Sequence, residues 1–588
     1  MLTLVPCLWI PIAMRGSFRP QPEDRTMRLS SLKNDRQETM YQDASPCPRS
    51  NLTDLCRAHL IPLQALTWLL ASTLLLGGCM LGPDFVKPDA QVAGEWLEVD
   101  DPKVKRDSTE SREWWTAFKD PALNALVQKA YQQNLPLRIA GLRILAARAR
   151  LGIAIGNLYP QQQRITAEAS KVRLSENAPN ARLIDHSHGN YLIGFDAAWE
   201  LDFWGRFRRG IESADAQFIA TVANYDDILV SLTAEVARTY VLIRTFQQRI
   251  EIAEDNVRIQ RRSLEIADVR FRNGLVTELD VAQAKTLLRN TQASVPRLQI
   301  GLRQAKNALS VLLAIPPSHL KEVLTGPELI PTPPTEVAVG IPAELLRRRP
   351  DIRRAELVAA AQSARIGVAR TDLFPRFAIL GFVGLQSSSN GEAFAKSAKF
   401  TDLFKGDSLT YFIGPTVEWP ILNYGRLKNN VRVQDARFQQ LIVNYQNTVL
   451  EAAKEVEDGL IGFLRSQDEV RYLLDSVEAS KRSVELSLIQ YRDGAVSYQR
   501  VLDSQQSLVD QQDLWTATRG DVALNLVATY KALGGGWQIR EGKEFIPVQT
   551  QQVMAERTDW GDLLSPAALE VRPPGEAAQI FPLRMPDF

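Results

Sequence analysis

Residues 205–274 read GRFRRGIESADAQFIATVANYDDILVSLTAEVARTYVLIRTFQQRIEIAEDNVRIQRRSLEIADVRFRNG. Within them Phe218, Val222, Tyr225, Leu229, Leu232, Val236, Thr239, Ile243, Phe246, Ile250, Ala253, Val257, Gln260, Leu264, Ala267 and Phe271 recur at alternating steps of four and three. Only Thr239 and Gln260 in that series are plainly polar. Such stepping keeps one apolar seam on one face of a long helix, as in a coiled coil. Gly205 to Phe271 is 67 residues, which at about 1.5 Å per residue makes a rod of about 100 Å. A rod of that length cannot be packed inside a compact domain, and its seam needs neighbours.

Sliding the chain against itself shows that the rod is written twice. An offset of 220 residues superposes Trp199 on Trp419, Gly205 on Gly425, Arg206 on Arg426, Tyr225 on Tyr445, Arg272 on Arg492 and Gly274 on Gly494 without a gap. Upstream the offset is 215, pairing Ala140 with Ala355, Gly152 with Gly367 and Pro160 with Pro375. Large-period self-similarity of this kind marks a repeated structural unit. The units run over 121–315 and 342–536, joined by a Pro-rich link within 316–341, IPTPPTEVAVGIP at 330–342, which a helix cannot cross. Asp120-Pro121 supplies an N-cap and a proline in the first turn of an opening helix that is expected to run to Tyr159. Pro342 and Pro375 bound its counterpart. Each rod ends in residue types that favour a tight helical turn, Asn273-Gly274 and Asp493-Gly494. A second helix then returns over Thr277–Leu313 and Ser497–Leu533.

Between the opening helix and the rod the period changes from helical to alternating. Tyr191, Ile193, Phe195, Ala197 and Trp199 face one way, and Leu192, Gly194, Asp196, Ala198 and Glu200 the other. In the second unit Tyr411, Ile413, Pro415, Val417 and Trp419 alternate with Phe412, Gly414, Thr416 and Glu418. Arg164–Val172 and Arg376–Leu385 read as their partners, with polar segments at 175–190 and 386–408 as exposed loops. An apolar face ending in aromatics, opposite a face of Gly, Thr and acids, is the pattern of strands with lipid outside and water inside. Four strands cannot close a membrane barrel, and open edges are not tolerated in lipid, so the barrel must be shared between subunits.

At the amino terminus, RAHLIPLQALTWLLASTLLLGGC at 57–79 is a basic residue, an apolar run and a small-residue ending, the layout of an export signal. Leu76-Gly77-Gly78-Cys79 resembles the bacterial lipobox, in which the cysteine is diacylated through sulfur and becomes the first residue. A single acyl chain binds membranes weakly, whereas three hold firmly. Met80 is not the Asp that retains such lipoproteins at the inner membrane, so the outer membrane is the expected address. Residues 1–78 are read as signal, with translation expected to begin at Met27 or Met40, and 79–120 as a lipidated segment.

Composition removes several other classes. The net charge is +1, from 69 basic and 68 acidic residues, which gives no field for nucleic acid. All four cysteines, Cys7, Cys47, Cys56 and Cys79, fall in the first 79 residues, so the body has neither a disulfide scaffold nor Cys-ligated zinc. Four histidines, His59, His186, His188 and His319, form no metal motif, and His186-x-His188 reads as a solvated pair in an outer loop. No apolar run after residue 79 is long enough for a spanning helix. GGGW at 534–537 ends a helix with no strand before it and so is no phosphate loop. No nucleophile with a base and no paired-carboxylate site points to an enzyme, and no metal site or cofactor is expected beyond the lipid on Cys79.

The chain resembles the TolC/OprM-type outer-membrane factors of tripartite efflux and type I secretion, in their lipoprotein (NodT) branch, over about 79–537. The motifs are GPDFVKP at 82–88, WWTAFKDPALNALV at 114–127, AAWELDFWGR at 197–206, LRRRPDIRRAE at 346–356, LFPRF at 373–377, EWPILNYGR at 418–426, YRDGAVSYQRVLDSQQSL at 491–508 and ATYKALGGGW at 528–537. The resemblance implies an α+β fold of two tandem repeats in a homotrimer. Helical hairpins would form an α-barrel tunnel, and four strands per protomer a 12-stranded β-barrel, within the even-numbered range of such barrels. It further implies a passive duct for drugs or other small molecules, with a periplasmic adaptor and an inner-membrane pump at its helical tips and outer-membrane lipid around its barrel. The constricting tip positions of the family fall on Asp280, Tyr491, Arg500 and Asp503, and Arg500 departs from the Asp that some members carry there.

Two readings compete. A periplasmic adaptor lipoprotein has one hairpin flanked by a lipoyl-like β domain, whereas this chain has two rods and strands at their far ends. A coiled-coil scaffold has no need of repeated amphipathic strands. The tail at 537–588 is left open between packing along the tunnel's middle and hanging free.

Overall fold

A computed structural model describes residues 79–106, 112–177, 186–389 and 398–565, the side chains at 318, 319, 321 and 345–347 excepted. The export signal with its Leu-Gly-Gly, the centres of both outer loops and the end of the tail lie outside the described residues.

The opening helix is two helices in each repeat, not one. α1 (Pro121–Gln133) is capped by Asp120, whose Oδ1 accepts from the amides of Ala122 and Leu123 at 2.9 and 3.2 Å. It stops at Asn134, which caps α2 (Leu135–Gly156) through a 3.0 Å bond from Leu137 N. Pro136 favours this break, because inside one continuous helix it would offer no amide to Gln132 O and its ring would crowd that carbonyl, whereas in the first turn of a new helix no such amide is needed. The second repeat breaks likewise at Pro350, between α5 (Pro342–Arg348) and α6 (Pro350–Thr371).

The rods are α3 (Arg206–Arg272) and α7 (Arg426–Arg492), 67 residues each. Both start after a glycine at left-handed φ, Gly205 at 77° and Gly425 at 81°. At the tips only the glycines are left-handed, Gly274 at 73° and Gly494 at 78°, while Asn273 and Asp493 keep φ of −88° and −77°. Amides just beyond close the turn on rod carbonyls, Leu275 N to Arg270 O at 2.9 Å and Ala495 N to Gln490 O at 2.8 Å. The return helices are α4 (Glu278–Leu312), which continues through Pro296, and α8 (Tyr498–Ala532).

The strands β1 (Gln162–Arg173), β2 (Ser187–Glu200), β3 (Arg376–Ser388) and β4 (Leu409–Glu418) form one antiparallel sheet in that order. The repeats meet at β2–β3, where Gly194 lies opposite Gly384, and β1 and β4 are the edges. Ile165, Ile193, Phe195, Val383, Tyr411, Ile413 and Val417 stand exposed on one face. Arg164, Glu168, Asp196, Arg376 and Glu418 lie on the other by register. Trp199 and Trp419 each donate an indole N–H, at 3.1 Å, to the carbonyls of the equivalent residues Leu158 and Leu373.

The main core lies at mid-rod, where Leu123, Leu126, Ile144, Val236, Ile243, Leu309, Leu460, Phe463 and Leu526 are buried together. The tail packs there as far as Leu564. Arg540 pairs with the buried Asp226 of α3, Phe545 meets Tyr225 edge-on at 5.2 Å, and a final helix α9 (Val548–Arg557) buries Met554.

Candidate functional site: the helical tips and the anchor segment

At the tips the two repeats are tied together by residues at non-equivalent positions. Tyr491, the last buried residue of α7, donates its hydroxyl to Asp280 Oδ2 on α4 at 3.1 Å. Its ring lies edge-on to Tyr498 at 5.2 Å, and the Tyr498 hydroxyl is 3.2 Å from Ser263 Oγ on α3. Around the two rings Ala267, Ala284 and Val501 close a small apolar cluster built from all four long helices. Burial first, and then the neighbouring Asp280 carboxylate, push the Tyr491 hydroxyl above its ordinary pKa. It therefore remains a donor throughout the physiological range.

The other two candidate residues are not part of this cluster. Arg500 and Asp503 are exposed on α8. Asp503 Oδ1 accepts from Gln499 Nε2 at 2.7 Å, and Gln499 accepts in turn from Gln283 of the first repeat at 3.0 Å. Arg500 and Asp280 occupy equivalent positions, 220 residues apart, with opposite charge.

Arg270 belongs to the tip and is absent from the sequence-derived set. Its Nη1 donates to the carbonyls of Tyr491 and Arg492 at 2.5 and 2.7 Å, and its guanidinium lies 4.8 Å from the Tyr491 ring centroid. A cation on the last carbonyls of α7 also complements the negative end of that helix dipole. The only sequence signal was a broken repeat, since position 490 is Gln where 270 is Arg.

At the opposite end of the rods Cys79 is exposed with a free thiol. The residues after it are held closely. Leu81 N donates to Trp204 O at 3.1 Å, and buried Arg209 donates to Leu81 O at 3.2 Å, to Asp84 Oδ1 at 2.7 Å and to Glu212 Oε2 at 2.7 Å. Gly82, at φ 105°, presses against Gly367, where an added Cβ would fall 2.4 Å from the Gly367 Cα. This contact accounts for the glycine of GPDFVKP.

Among the described residues no His, Cys, Asp or Glu group could hold a metal, and no helix is long and apolar enough to cross a membrane. His188 is not in a loop. It is buried at the start of β2, opposite Val172.

The chain matches the outer membrane efflux protein family over residues 126–314 and again over 341–535. It is 29% identical over 471 residues to nodulation protein T of Rhizobium leguminosarum bv. trifolii, covering 79% of this chain and 96% of that protein. To the probable efflux pump outer membrane protein TtgC of Pseudomonas putida it is 30% identical over 485 residues, covering 82% and 97%. The solved outer-membrane channel OprN superposes with a TM-score of 0.71 at 31% identity, over 78% of this chain and all of that one. With both repeats matched and the channel fold reproduced, the chain belongs to the outer membrane efflux protein family and has the fold of an outer-membrane channel.

Proposed function

We propose that the chain is the lipid-anchored exit duct of a tripartite efflux system, three copies enclosing one passage from the periplasm to the exterior. The observation that carries this reading is the four-stranded sheet, with two unpaired edges and an apolar outer face, set beside rods whose second copy leaves apolar side chains in water. Edges in lipid must be paired, and a neighbouring protomer on each side pairs them.

In this assembly Cys79 carries a diacylglycerol and an N-acyl chain, and the Arg209 clasp fixes that anchor beside the junction of sheet and rod. The tips narrow the periplasmic entrance. Tyr491–Asp280 and Arg270 hold it closed, and Asp503 and Arg500 set the charge that solutes meet first. A periplasmic adaptor and an inner-membrane pump engage the tips, and the duct itself passes drugs or other small molecules without a chemical step. Native mass spectrometry of the membrane-extracted protein, with the mass of its amino-terminal peptide, tests the proposal. A trimer starting at acylated Cys79 is expected, and a monomer with an unmodified terminus overturns the reading.

A further inference from the structure

The face of the sheet opposite the lipid-type residues is divided unequally between the repeats. On β1 and β2 it carries Arg164, Thr166 and Asp196, and these satisfy one another. Asp196 Oδ2 accepts from Thr166 Oγ1 at 2.8 Å and lies 3.9 Å from Arg164 Nε. On β3 and β4 the same face carries Phe382, opposite Asp196, and Phe412, opposite Phe382. The two rings stack, with centroids 6.3 Å apart and planes inclined by 20°.

The first ring has a made seat. The far edge of the Phe382 ring lies over Gly194 and Gly384, where an added Cβ would fall 2.5 and 2.8 Å from its atoms. A side chain at either position would lift the ring away from the wall. Phe412 is 57% exposed. Phe382 is half-buried beneath it. A barrel lumen is ordinarily lined by polar groups, so an exposed ring on that face costs solvation unless a solute uses it.

We infer that Phe382 and Phe412 form a wall subsite for small, uncharged aromatic solutes leaving through the barrel. This rests on the reading above that the sheet encloses a water-filled lumen. Neutral solutes are favoured because the charges beside the rings are mutually compensated. Aromatic ones are favoured because a planar molecule can extend the existing stack and shed water from both surfaces. Three protomers would alternate three such patches with three polar strips, letting a solute step around and along the wall without being held.

The test uses the full-length trimer in planar bilayers, with p-nitrobenzyl alcohol added on the side of the strand loops and mannitol as the polar comparison. Wild-type protein is expected to show transient current interruptions with the aromatic alcohol and none with mannitol. Phe412→Ser, at an exposed position, should shorten them about fivefold, scored against each variant's own open current, and Phe382→Ser with Phe412→Ser should do so further. Interruptions of equal duration in Phe412→Ser, or none in the wild type, overturn the subsite. The lumen reading is checked separately by labelling Phe412→Cys and Ile413→Cys with a charged maleimide, read by peptide mass. Label at 412 but not at 413 upholds the face assignment. Label at 413 alone overturns that assignment and the subsite with it.

Discussion

The two rods have the same length and the same start and stop residues, yet α3 buries 30 of its residues and α7 buries 14. α3 lies between α2, α4, α6 and α8, so most of its seam, Phe218 to Ile243 above all, is covered by its own chain. α7 leaves Val433, Val443, Leu450, Tyr472, Leu474, Leu486 and Ile489 exposed. Duplication therefore produced one rod covered by its own chain and one that leaves an apolar face open, the face on which the proposed trimer would close. The same asymmetry reappears at the tips. Phe271 of the first repeat is 40% exposed, while its equivalent Tyr491 is 1% exposed and holds the cross-repeat bond.

This contrast can be broken at several levels. The largest effect is expected from Val443→Asp combined with Leu450→Asp, because burying unpaired carboxylates in a subunit contact costs several kcal/mol. Trimer should give way to monomer in native mass spectrometry, and an intact trimer would mean that the exposed face of α7 is not where protomers meet. Next come the interior positions Phe463→Ala and Ile243→Ala, equivalents under the 220-residue offset and both fully buried. Losses of about 3–5 and about 2–5 kcal/mol are expected, read as lowered thermal midpoints. Similar losses would show that the repeats differ at their surfaces and not in their cores.

Smaller again is Tyr491→Phe, which removes a hydrogen bond to a carboxylate worth about 1.5–3 kcal/mol. It should raise bilayer conductance, whereas Phe271→Tyr should stay within about 0.5 kcal/mol of the parent and leave the conductance alone. The smallest effect is one of pH. Because the folded-state pKa of Tyr491 is raised above the ordinary 10.0, its contribution stands in full below that value and is lost only as pH rises through the higher one. The conductance ratio of Tyr491→Phe to parent should therefore stay flat from about pH 6 to about pH 9 and fall toward unity only above about pH 10.

Much of this architecture was legible because it rests on long periods. The seam and the paired glycines set each rod to within one residue, and strict alternation gave both faces of the sheet. The two proline breaks were missed because the bounding prolines at 121 and 160, and at 342 and 375, were read as the ends of one helix, although Pro136 and Pro350 inside that span each start a new one. His188 was misplaced because the strand extends four residues past the last clear alternation, into Ser187-His188-Gly189-Asn190. At the tip, Asp280 and Tyr491 could be named from their motifs, but their meeting could not, since it joins positions 211 apart that the repeat offset does not relate. Arg270 left only the broken repeat against Gln490, because its hydrogen-bond partners are backbone carbonyls, which leave no mark in a sequence.

The equal length of the rods carries a consequence for how such a molecule can change. Each residue added to one helix moves its end by about 1.5 Å and turns it by a fraction of a turn. An insertion in a single rod would set its tip out of level with the other and rotate Tyr491 away from Asp280. Changes in reach are therefore available only as matched edits in both halves, in multiples that preserve the seam. The duplicated chain behaves as a gauge whose two arms must be recut together, and the reach of its helical tips is inherited in discrete steps.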